Sequence, residues 1–90
     1  MTTLAKQPSL YGEWTDSGVT GGVSVLVQNQ SSIGVDIYIF TGTEPPEDFE
    51  GILLRDWISF PVKDGEKLFH TAAQEIHETF NHAAIRVDMV

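Results

Sequence analysis

Three histidines and one run of carboxylates are the residues of this 90-residue chain whose types could do chemistry. His77-Glu78-Thr79-Phe80-Asn81-His82 sets two imidazoles beside a glutamate, as zinc hydrolases do, but with a different spacing. The H-E-x-x-H motif places its histidines at i and i+4 on one helical face. Here they stand at i and i+5, which turns them about 140° apart on a helix and onto opposite faces of a strand. Only a loop would gather them, with His70 as third ligand. The expectation is that all three are solvated or structurally hydrogen-bonded. The carboxylates of Glu44, Glu47, Asp48 and Glu50 are oxygen ligands of the kind calcium prefers, yet the D-x-[DN]-x-[DN]-G spacing is absent. They read as a solvated charged loop that discourages edge pairing.

Other reactive arrangements fail on spacing as well. No G-x-S-x-G elbow presents a serine. Gly18, Gly21 and Gly22 lead into a strand, whereas phosphate-binding loops run from a strand into a helix. The chain has no cysteine, which removes disulfide scaffolds, thiolate metal sites and thiol catalysis. A carboxylate pair for glycoside hydrolysis can be drawn at many places, but a chain this short has little wall for a substrate cleft. No catalytic residue, cofactor or metal is assigned, and the chain reads as non-enzymatic.

Thirteen acidic residues against five basic ones give a formal net charge of −8. Lys6, Arg55, Lys63, Lys67 and Arg86 are too few for the basic patch of a nucleic-acid or anionic-membrane binder. No apolar run approaches the ~18 residues of a membrane helix. The first residues lack the apolar centre of a secretory signal. A soluble domain made without disulfides is expected, and at this size it gains stability from partner subunits.

The elements that would position any site follow from pattern. Residues 1–22 show no period and read as an N-terminal arm, though Leu10, Tyr11 and Trp14 are unusual in a disordered tail. Either the aromatics fold back over the core or the arm docks on a neighbour. Residues 23–90 read as a single β domain. Val23, Val25 and Val27 alternate with Ser24, Leu26 and Gln28, and Val35, Ile37 and Ile39 alternate with Asp36, Tyr38 and Phe40. The six residues between these strands suit a hairpin loop. Pro45 and Pro46 make the Glu44–Glu50 stretch a loop, with Phe49 as its anchor on the core. Strands are expected at Ile52–Leu54, Trp57–Phe60, Lys67–His70 and Ala84–Val90. Thr71–His82 reads as a short helix or irregular insertion before the last strand. The fold class expected is all-β: a small antiparallel β-sandwich or barrel, Ig-like or jelly-roll-like.

From Val23 to Val90 the chain resembles small virion proteins of tailed bacteriophages. The resemblance is carried by a strand ending Val27-Gln28-Asn29, a polar turn, and Val35-Asp36-Ile37-Tyr38-Ile39-Phe40 with Thr41-Gly42. A proline-bearing loop, an Asp64-Gly65 turn before Leu68-Phe69 and an alternating final strand complete it. It implies a structural subunit on the capsid exterior, synthesised in the host cytoplasm. Its partner would be the major capsid protein, and it would form a homo-oligomer, with trimers favoured. The contact elements expected are Leu10, Tyr11 and Trp14 of the arm, and Glu44, Glu47, Asp48, Phe49 and Glu50 of the loop. Two alternatives come from other classes. One is an acidic DNA mimic that inhibits a nucleic-acid enzyme. The other is a carbohydrate-binding attachment module using Tyr11, Trp14, Tyr38 and Trp57.

Overall fold

Alternating β-branched residues need two surfaces, one dry and one wet, and two facing sheets supply them. The computed structural model describes residues 2–4, 6–48, 50–77 and 81–89. Its strands in chain order are β1 (Thr2–Thr3), β2 (Gln7–Pro8), β3 (Thr15–Thr20), β4 (Val23–Asn29), β5 (Ile37–Gly42), β6 (Ile52–Leu54), β7 (Trp57–Val62), β8 (Lys67–Ala72) and β9 (Ala84–Met89). Sheet A has the order β1-β9-β4-β7, with β2 following β1 along the same side of β9. Sheet B has the order β3-β8-β5-β6. All ladders are antiparallel. The fold is a small all-β sandwich, as the alternation predicts.

Both sheets fill one core. Val25 and Val27 of β4, with Ile85 and Val87 of β9, meet Ile37 and Ile39 of β5, Leu68 and Ala72 of β8 and Val19 of β3. All of these are essentially inaccessible to solvent, so the alternating positions are the buried ones. Every ladder except β5/β6 joins strands far apart in sequence, because most connections cross from one sheet to the other.

That crossing corrects one expectation. β4 and β5 do not form a hairpin: β4 pairs with β7 and β9, while β5 pairs with β6 and β8. Residues 30–36 arch over the end of the sandwich. Asn29 holds the arch, its Nδ2 donating to the carbonyls of Val35 at 2.9 Å and Leu54 at 3.1 Å. A period of two states which face of a strand is buried, and that face is the same for hairpin neighbours and for strands stacked in opposite sheets.

Two further differences concern less patterned stretches. The stretch expected to be an arm contributes β3 to sheet B and β1 and β2 to sheet A. β3 escapes pattern reading because its inward positions are Thr15, Ser17 and Val19, only one of them apolar. Its ladder is also broken by a register shift between Asp16 and Thr20, around Gly18 at φ +90°. Between β8 and β9 the described residues show the irregular alternative and no helix: residues 73–77 are irregular, while Thr71 and Ala72, expected in that insertion, extend β8. Glu78 to Phe80 lie outside the described residues, as does Phe49.

One close approach fixes the corner between β3 and β4. A Cβ at Gly21 would lie 1.7 Å from the Lys63 carbonyl oxygen, so no side chain fits. The next residue, Gly22, adopts φ +92° and donates its N–H to the Val62 carbonyl at 2.8 Å. The β3–β4 and β7–β8 corners therefore lock together.

Candidate functional site

The outer face of sheet B is aromatic. Strand alternation turns Tyr38 and Phe40 of β5 and Phe69 of β8 away from the core, and Phe40 lies opposite Phe69 in register. Trp14 enters β3 on this face. Its ring centroid lies 6.1 Å from that of Phe40 at 62°, an edge-on contact. The indole Nε1 donates to the Asp48 carbonyl at 3.1 Å, which ties the acidic loop to the lead-in segment.

Backbone bonds place the rest of the lead-in. The Leu10 carbonyl accepts from Ala72 N at 2.9 Å and from Thr71 Oγ1 at 2.6 Å, and Tyr11 makes a parallel bridge to Ala72. Leu10 and Tyr11 are each half exposed. Between the two segments lies a shallow hollow of about 120 Å³, walled by Gly12, Trp14, Glu47 and Asp48. The structure thus brings together Trp14, Glu47 and Asp48, with Tyr11 adjoining. Leu10 lies further along the segment, and Glu44 and Glu50 are exposed elsewhere on the same loop. Of the two aromatics, Trp14 packs on Phe40 of its own domain, while Tyr11 is half exposed.

Charge is concentrated on this loop, which carries four of the thirteen acidic residues. Among the described residues, Asp36, Asp16 and Asp88 face Arg55 at 3.5 Å, Lys67 at 3.8 Å and Arg86 at 3.6 Å. Among the described residues, none of Glu44, Glu47, Asp48 and Glu50 has such a cation. What the face offers is uncompensated negative charge beside an aromatic edge, an arrangement suited to lysine and arginine side chains.

The three histidines are dispersed. His82 is exposed and ties the arch to the segment before β9, its Nδ1 2.8 Å from Ser32 Oγ and its Nε2 donating to Gln30 O at 3.1 Å. His77 is exposed, 4.0 Å from Glu75. His70 is wholly buried. Among the described residues no three histidine, aspartate or glutamate side chains converge as a metal site.

His70 forms a polar bridge between the sheets that spacing did not single out. The only hint is its phase, which it shares with the inward Leu68 and Ala72. Gln7 Nε2 donates to the Ser17 carbonyl at 2.7 Å, and a carbonyl can only accept. The Gln7 Oε1 therefore faces His70 Nε2, at 3.1 Å, and must accept its proton. This leaves Nδ1 as the acceptor for the Ser9 hydroxyl. Burial holds the His70 pKa down to about 4, with the Asp16 carboxylate opposing weakly. Ser9 is itself buried and its N–H is spent on the Ala83 carbonyl, so the pair is a structural latch and not an exposed nucleophile.

The four aromatics of the carbohydrate reading do not share a surface. Trp57 alternates with the inward-facing Ile58, so it leaves the outer face of sheet A, while Trp14 and Tyr38 lie on sheet B. Comparison with family models, curated proteins and solved structures found no match. Fold and site together define a small β-sandwich with one acidic, aromatic face.

Proposed function

We propose that this chain is a structural virion subunit of a tailed bacteriophage, a cement or decoration protein. It docks through the Tyr11–Trp14 and Glu44–Glu50 face on basic groups of the major capsid protein. The observation that carries this reading is the local charge: four carboxylates crowd the single loop Glu44–Glu50 and, among the described residues, none of them is paired with a lysine or arginine. Complementary charge of this kind steers association and fixes register, with the adjoining aromatics providing desolvated contact. Its role is non-enzymatic. The resemblance to small phage virion proteins supplies the identity of the partner.

A duplex mimic is the weaker reading. It requires carboxylates spread at phosphate-like intervals along a face, whereas these are concentrated on one loop and Asp16, Asp36 and Asp88 face cations of the same chain.

The test is binding to shells assembled without the chain. Glu47→Lys with Asp48→Lys should weaken binding at least tenfold and flatten its salt dependence, with the melting temperature nearly unchanged. Unaltered binding by this variant would refute the docking face.

A further inference from the structure

We infer that the free edge of β7 is a twofold interface, where it pairs antiparallel with β7 of a second copy of this chain. β7 ends sheet A, with β4 on one side and no strand on the other among the described residues. The ladder shows which backbone groups that edge offers. Val62 O accepts from Gly22 N at 2.8 Å and Asp56 O accepts from Asn29 N at 2.8 Å, so even-numbered residues of the strand bond toward β4. Odd-numbered residues then point their N–H and C=O outward, away from β4. These are Trp57 and Ser59 with both groups, and Pro61 with a carbonyl alone. Pro61 needs no partner for an N–H on either side, which is why it is tolerated here.

Self-pairing about Ser59 satisfies this set. Ser59 exchanges both bonds with Ser59 of the second copy across the axis, and each Trp57 N–H meets the Pro61 carbonyl opposite. The missing N–H of Pro61 costs nothing beyond one unused Trp57 carbonyl. Side chains match in the same register. Ile58 and Phe60, which are half buried, meet Phe60 and Ile58 on the inner side, and the exposed Trp57 and Pro61 meet Pro61 and Trp57 on the outer side. Centring one residue further along, on Phe60, would leave the outward groups of Trp57 facing beyond the opposing strand.

Three observations favour a second copy as the occupant. β7 carries no charged residue, so the pairing sets no like charges opposite one another although each chain carries −8. Trp57, 65% exposed, is the largest side chain left in solvent at this edge. Phe60 also walls an apolar cleft of about 260 Å³ with Ile39, Thr41, Gly51 and Ile52, on the same open side of the sandwich. An isologous edge closes with two copies, so the unit is a dimer in place of the trimer that the resemblance leads one to expect.

The pairing is independent of the capsid reading, because it is measured on the purified chain alone. Ser59→Cys introduces the only cysteine, and opposed residues in a bonded antiparallel pair lie about 5.5 Å apart at Cα, within disulfide reach. Under mild oxidation at high salt, Ser59→Cys should yield a disulfide-linked dimer at least tenfold faster than Ser24→Cys, an exposed control on the neighbouring strand. Sedimentation should give the wild type twice the mass of one chain, increasingly so with salt. Ser59→Lys, with its fold checked by circular dichroism, should sediment as a monomer. Equal crosslinking at positions 59 and 24, or a dimer that survives Ser59→Lys, would overturn the proposal.

Discussion

Acid should destabilise this protein through a single buried imidazole. His70 titrates near 6.5 in the unfolded chain, but burial lowers its folded pKa to about 4. A depressed histidine pKa means that the unfolded state takes up a proton first as the pH falls. The His70 contribution is therefore fully present above pH 6.5, is lost progressively between 6.5 and about 4, and is constant below that. The difference between 6.5 and about 4, at 1.36 kcal/mol per pH unit, corresponds to about 3 kcal/mol. That is a large share of the ~5–13 kcal/mol expected for a domain of this size.

The assay is denaturant unfolding of the wild type and of His70→Gln at intervals from pH 7.5 to pH 4. Carboxylates contribute to both proteins and cancel in the difference. The glutamine variant is expected to be less stable at neutral pH, because Ser9 and Gln7 lose their partner, but its stability should fall less steeply as pH drops. The gap between the two should close by about 3 kcal/mol across the window. Parallel curves, or a His70 ring resonance that titrates near 6.5 in the folded protein, would refute the reasoning.

Other perturbations have equally definite outcomes. Gly21→Ala drives a methyl into the Lys63 carbonyl and should lower stability by more than about 3 kcal/mol, read as a large drop in melting temperature or loss of the folded state. Trp14→Ala removes the edge contact with Phe40 and the bond to Asp48 O, costing about 1–2 kcal/mol in a melt and loosening the acidic loop, so shell binding should weaken as well. Ile37→Ala empties a fully buried core position and should cost about 2–5 kcal/mol in denaturant unfolding, more than Leu53→Ala one strand away on the exposed edge.

The strands were legible where burial is carried by side chains alone. Val25 and Val27, Ile37 and Ile39, and Ile85 and Val87 announce β4, β5 and β9 because each pair is apolar, β-branched and in phase. β3 was illegible for the opposite reason, since Thr15 and Ser17 hold inward positions and backbone and polar contacts do the work there. Partner choice is also hidden, because alternation looks the same in hairpin neighbours and in strands of opposite sheets such as β4 and β5. Trp14 and the Glu44–Glu50 loop were recognisable by residue type. Their meeting was not, because residues 10–14 and 43–48 are brought side by side by the ladders of β8 with β3 and β5. The His70 latch depends on Gln7 and Ser9, more than 60 positions away by sequence, as the separations of 63 and 61 show.

The account stands most directly on where the protein resides. Quantitative mass spectrometry of purified virions, normalised to the major capsid protein, should find this chain at a fixed ratio to the shell subunit and in many copies per particle. Its absence from the particle, or a complement of only a few copies, would contradict the role of a capsid-bound structural subunit.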